Sequence, residues 1–247
     1  MAKKAARWIF LAIVLLGAFA GFVYSQEFKA IETFSKYSVE IELFDSGNAT
    51  VTHSITIKNN DEKNPIVPGI AYLDIFNNER GNMKIKNVTT KLGDGSSVVN
   101  FVREKGDGTY EIRYELWFPL RPNETREVQI KYDVQNFYFE ESSFPTISFP
   151  IGDSSIPIEK AKIIIKPKGK NVTYAPNAKI EKNKLIWSLG AIDAGNVKKI
   201  EFEFSSYPLP LSPIKGAYIF WGIITFVLLA IIAIATIVLR KIKKNKQ

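Results

Sequence analysis

Few side chains in this chain could do chemistry. His53 is the one histidine, and there is no cysteine. A zinc centre needs three or four Cys, His or carboxylate ligands, so the composition argues against one. A triad built on His53 would need a serine delivered to it. No G-x-S-x-G turn occurs, and no Gly-rich phosphate loop does either. His53 shares one strand phase with Val51, Ile55 and Ile57, which makes it a partly buried strand residue with a local hydrogen bond. Asp61-Glu62, Glu140-Glu141 and Asp153 fall in expected loops, where carboxylates can hold calcium or, in pairs, hydrolyse a glycoside. Their spacing assigns neither chemistry. Solvated acids facing many lysines are the plainer reading, so no catalytic residue, cofactor or metal is expected.

Two further groups of residues suggest modification and recognition. Asn48, Asn87, Asn123 and Asn171 each open an Asn-x-Thr sequon, and these are candidate glycan acceptors if their surroundings lie outside the cell. Asn48 and Asn123 sit in expected turns. The segment from Asn136 to Pro150 gathers Phe137, Tyr138, Phe139, Phe144 and Phe149 with two prolines. Aromatics at a domain boundary fill an interface; left exposed, they mark a docking surface for a partner.

The charge pattern supplies the compartment. The formal net charge is +8, carried by Lys3, Lys4 and Arg7 at one end and by Arg240, Lys241, Lys243, Lys244 and Lys246 at the other. Residues 26–216 hold the 25 acids against an equal number of Lys and Arg, so no nucleic-acid surface is implied. Each basic end abuts an apolar run. Residues 217–239 carry no charge and would span about 34 Å as a helix, enough for a bilayer core. Tyr218 and Trp221 suit the outer interface and the cations after Leu239 the inner one. Residues 8–24 are short for a span and long for a signal-peptide core, so residues 1–25 are a cleaved signal peptide or an uncleaved membrane helix. Either way, Lys and Arg retention places residues 26–216 outside and the basic tail, 240–247, in the cytoplasm. The lipid bilayer is the one partner this composition identifies.

The outer region must position whatever the chain binds, and it reads as all β. Val39, Ile41 and Leu43 alternate with Ser38, Glu40 and Glu42, and the same period two runs through Val51 to Ile57 and Tyr110 to Leu116. Gly93-Asp94-Gly95 and Gly106-Asp107-Gly108 bracket Val98 to Arg103, which predicts a three-stranded meander. A weak repeat aligns Leu120–Tyr132 with Ile192–Phe204, each a turn followed by an apolar alternation, at 128, 130, 132 and at 200, 202, 204. Read as two closing strands, these predict tandem antiparallel sandwiches at 27–135 and 136–207. The second would turn Ala161, Ile163, Ile165, Leu185, Trp187 and Leu189 inward, with lysines 160, 162, 166 and 184 outward. Three prolines between Tyr207 and Pro213 make 208–215 a stiff stalk before the membrane.

Trp187-Ser-Leu-Gly-Ala-Ile-Asp-Ala-Gly195 followed by Lys199 to Phe204 resembles the end of the immunoglobulin-like repeats of archaeal and bacterial surface proteins. The resemblance implies a sandwich used as a spacer or adhesive module, and no catalytic residues. The expectation is a non-catalytic, membrane-anchored binding or spacer protein of the cell surface, its protein or glycan partner unnamed. Two other classes stay open: an accessory subunit of a transport, secretion or glycan-transfer complex, and a carboxylate-based glycan hydrolase.

Overall fold

The computed structural model describes residues 30–244 apart from 45, 76–81, 107–108, 140–142 and 206, with backbone alone over 240–244. The apolar segment 8–24 and the Glu140-Glu141 pair lie outside the described residues.

Among the described residues, thirteen strands are arranged in three sheets. The large sheet has the order β11-β12-β9-β1-β2-β7-β4. Its centre is β1 (Glu32–Leu43), β2 (Ala49–Asn59) and β7 (Thr125–Gln135), flanked by β9 (Ile158–Lys166), β12 (Lys184–Ile192) and β11 (Lys179–Glu181) on one side and by β4 (Lys84–Leu92) on the other. One small sheet is β3 (Gly69–Ile75), β6 (Tyr110–Leu116) and β5 (Asn100–Glu104); the other is β10 (Asn171–Tyr174), β13 (Val197–Ser205) and β8 (Thr146–Gly152).

Period-two patterning decides which face of the large sheet is covered. Val39, Ile41, Val51, Val128, Ile130, Ile163 and Ile165 are fully buried on one face, and Ser38, Glu40, Thr52 and Lys131 occupy the other. Both small sheets lie over the buried face. Ile112, Tyr114 and Leu116 of β6 point to it, as do Ile200, Phe202 and Phe204 of β13, and the Phe202 ring meets Trp187 of β12 with centroids 6.0 Å apart.

The expected tandem sandwiches are corrected here. β1 pairs with β9 in parallel, with Val39 opposite Ile163 and Ile41 opposite Ile165. The large sheet is therefore neither wholly antiparallel nor divisible at residue 135, because its first strand is hydrogen-bonded to a strand from the expected second unit. Nor does β7 close a sandwich, since it lies between β2 and β4 inside the sheet. The expected meander is half formed. β5 and β6 make a hairpin, with Val102 opposite Ile112, while β4 belongs to the other layer and meets the connecting segment only at the Lys91–Ser97 bridge. The inward residues of the second half are as expected, Leu189 being only partly covered.

After the stalk, α1 runs from Gly216 to Lys244, and its stretch Gly216–Leu239 is long and apolar enough to cross a membrane. Its first turn is fastened to β13. The buried carboxylate of Glu203 accepts hydrogen bonds from the Thr173 hydroxyl at 2.7 Å and from the Ala217 N–H at 3.3 Å, so it satisfies an otherwise open N–H at the helix start. Gly216 permits this approach, because a Cβ there would stand 2.6 Å from Cβ of Thr173. Gly216→Ala is expected to push the first turn off the sheet and cost about 1–3 kcal/mol. Thermal unfolding of the full chain in mild detergent, with amide exchange at Ala217, checks this; an unchanged Ala217 rate would refute it.

Candidate functional site

The two small sheets do not join into one. Between the edge strands β3 and β8 lies a cleft of about 950 Å³, floored by the large sheet through Tyr37, Val51, His53, Tyr132 and Val134. Leu73, Asp74 and Ile75 of β3 form one wall. All of β8, with Phe144 and Pro145 just before it, forms the other. Every aromatic of the 136–150 segment lines this cleft: Phe137, Tyr138, Phe139, Phe144 and Phe149.

Local chemistry fixes these aromatics in place. Tyr138 is buried, donates its hydroxyl to the Phe44 carbonyl and sets its ring edge-on to Phe204 with centroids 4.8 Å apart. Phe137 packs on Phe149 at 6.4 Å. Phe144 lies between Tyr207, just before the stalk, and Phe220 of α1, at 5.9 and 5.4 Å. The segment therefore both packs and lines: Tyr138 anchors it, while Phe137, Phe144 and Phe149 remain half-buried against the cleft. Phe144 also ties the cleft to the start of the apolar helix.

The floor carries a polar chain across three strands. His53 Nδ1 lies 2.9 Å from the Tyr37 hydroxyl and Nε2 lies 2.9 Å from the Tyr132 hydroxyl. One ring nitrogen carries the proton and donates, and the other accepts. Burial pushes the His53 pKa down to about 3 and raises those of both tyrosines, so all three groups are neutral near pH 7. With both nitrogens bonded, His53 is a structural element of the floor, as its strand phase indicated. What the sequence did not show was its partners, because Tyr37 and Tyr132 lie 16 and 79 residues away.

The carboxylates separate in space. Asp61 accepts from the N–H groups of Lys63 and Asn64 and from the Asn64 amide, bonds that hold its carboxyl below the usual range and close its own loop. Asp153 stands at the end of the cleft, after Gly152, where a Cβ would collide with the Asn196 carbonyl at 2.2 Å. Among the described residues no three His, Cys, Asp or Glu side chains are grouped to hold a metal.

The sequons differ in setting. Asn87, Asn123 and Asn171 are exposed, at a β4 irregularity, in a turn and at the start of β10. Asn48 is half-buried in the β1–β2 turn, with its amide nitrogen donating to Ser46 at 2.8 Å. A feature the sequence reading passed over is the outer face of the β3-β6-β5 sheet, where Tyr72, Phe101 and Trp117 are all more than half exposed. Their outward strand phase was the available signal.

Comparison with known proteins gives a family and several distant shapes. No curated protein matches the chain. Among solved structures, a candidate nutrient-binding protein from Legionella pneumophila subsp. pneumophila str. Philadelphia 1 is similar at 12% identity and a TM-score of 0.45, over 70% of this chain and 67% of that one. Leukotriene A4 hydrolase from Saccharomyces cerevisiae is similar at 12% identity and a TM-score of 0.44, over 70% of this chain and 29% of the hydrolase. The M1 zinc metallopeptidase from Deinococcus radiodurans is similar at 12% identity and 0.41, over 69% of this chain and 42% of the peptidase. This chain thus spans less than half the length of either enzyme. A family model described as the N-terminal domain of a predicted membrane protein, DUF2207, matches residues 33–204, from β1 into β13 and short of α1. With all but the edges of the β region matched, the chain belongs to this family of predicted membrane proteins.

Proposed function

We propose that this is a non-catalytic binding protein of the cell surface, anchored by α1 with residues 26–216 outside and the C-terminus in the cytoplasm. The observation that carries the reading is the aromatic-lined cleft between β3 and β8. Its volume falls in the range of ligand sites, and its walls mix apolar surface with a few fixed polar groups, which is how binding sites are built. The neutral and fully bonded Tyr37-His53-Tyr132 floor supports recognition over proton transfer. The segregated charge of the two ends supports the topology. Glycans at Asn87, Asn123 and Asn171 belong to the same proposal.

The Glu203 fastening favours a second reading as well, an accessory subunit whose β region is held at a set angle to the membrane. Occupancy of the cleft tests the main one. Phe149→p-benzoylphenylalanine in the full chain, irradiated in native cells, is expected to give a covalent adduct. The same substitution at Trp117, on the outer face, should give none. Absence of any adduct at 149 would sink the reading.

A further inference from the structure

Resting on that reading, we infer that the occupant of the cleft is an extended peptide segment of another protein, added as a strand along the free edge of β8. Consecutive residues, Thr146 through Gly152, all line the cleft. Successive strand residues face opposite sides of a sheet, so only a cavity lying along the strand's edge is bordered by every one of them. β8 is an edge strand in its sheet, and so is β3 across the cleft.

The hydrogen-bond pattern says which groups of β8 are open. The Phe204 N–H bonds the Pro145 carbonyl and the Asp153 N–H bonds the Asn196 carbonyl. In an antiparallel pair this makes Thr146–Glu203 a non-hydrogen-bonded pair and gives Ile147, Phe149 and Ile151 to β13. Thr146, Ser148, Pro150 and Gly152 then direct their backbone groups into the cleft. Pro150, which has no N–H to lose, stands at one of these outward positions, as prolines in edge strands do. Among the described residues the outward groups of Thr146 and Ser148 have no partner.

Open N–H and C=O groups at strand spacing are what a peptide backbone satisfies. A hydrocarbon chain in the same place would strip water from them and bond none. Seven residues of β8 give a track roughly 23 Å long, the length of an ordinary strand. Charge complements this. Asp74 is already paired with Lys105, and Lys215 with Glu201, so Asp153, just past the Gly152 end of β8, is the carboxylate that favours a basic residue on the segment. Its alternate apolar side chains would rest on Phe149 and the floor.

The probe is a phage-displayed random heptapeptide library panned on the full chain in lipid nanodiscs. Peptides with alternating apolar residues are expected, and a selected peptide should slow amide exchange at Thr146 and Ser148 at least tenfold in the unaltered chain. Ser148→Pro removes an outward N–H and no bond to β13, so it should weaken that peptide at least tenfold with an unchanged melting temperature; Ser148→Ala should stay within twofold. Equal binding by Ser148→Pro, unchanged exchange at both amides, or an empty panning would overturn the inference. Should the Phe149→p-benzoylphenylalanine adduct prove by mass to be a lipid, the binding reading stands and the peptide does not.

Discussion

Acidification from pH 7 to pH 5 is expected to cost the folded chain about 2 kcal/mol through His53 alone, and acidification from pH 7 to pH 4 about 3 kcal/mol in total. The sign follows from burial. His53 titrates near 6.5 when unfolded and near 3 when folded, so the unfolded state takes up the proton first. Its contribution is whole above about pH 6.5 and drains away as the pH falls toward 3. Tyr37 and Tyr132 hold its two nitrogens, and both hydroxyls stay protonated throughout. Carboxylates held low by their hydrogen bonds, Asp133 through Asn87 and Thr50 and Glu42 through Lys168, lose their contributions in the same direction but at lower pH. Glu32, whose carboxyl is pushed up by burial, changes in the opposite direction as the pH falls, so the histidine's share is the difference between the unaltered chain and His53→Gln. Melting of the full chain in mild detergent should fall by roughly 4–8 °C through that share from pH 7 to pH 5. His53→Gln should remove most of that slope while lowering stability at pH 7; an unchanged slope would show that the ring is not held neutral by burial.

Phe202→Ala is expected to destabilise the chain by about 3–5 kcal/mol and to lower a single unfolding transition. Phe202 is fully buried, and its ring sits between Trp187 of the large sheet and Phe204 of its own strand. Removing it leaves a cavity between two layers that strands cannot easily collapse, because each is fixed by its own ladder. The transition count matters as much as the size. Since β9 is hydrogen-bonded to β1, loss of packing under β12 and β13 reaches the strands nearest the N-terminal half. Two separate transitions, with only the second shifted by the substitution, would restore the picture of independent tandem units. Phe149→Ala, by contrast, removes a half-buried ring and should cost much less.

The outer face of the β3-β6-β5 sheet is distinct from the cleft. Tyr72, Phe101 and Trp117 are exposed there, with Arg113 over the Phe101 ring at 5.5 Å. That row spans all three strands, since Tyr72 pairs with Arg113 and Arg113 with Phe101.

By itself the sequence determined the strongly alternating strands β1, β2, β6, β7, β9, β12 and β13, their buried faces and the apolar helix. Val128, Ile130 and Tyr132, and Ile200, Phe202 and Phe204, are buried where their period placed them, because alternation is a local property that a strand imposes whatever it pairs with. Membership of a membrane-protein family and, among the described residues, one helix fit to cross a bilayer agree with the uncharged run 217–239. The aromatic segment was legible as a place of interest for the same reason: composition survives any topology. Pairing was not legible. Nothing in the alternation of β1 distinguishes a parallel neighbour 124 residues on from an antiparallel one nearby, and so a repeat of two similar closing strands read as two sandwiches. Strand partners are chosen by the whole chain's packing, where sequence distance carries little information. The cleft is a consequence of that choice alone. It exists because β3 and β8 end their respective sheets over one shared floor, and its polar line exists because β1, β2 and β7 became neighbours and brought Tyr37, His53 and Tyr132 within hydrogen-bond reach.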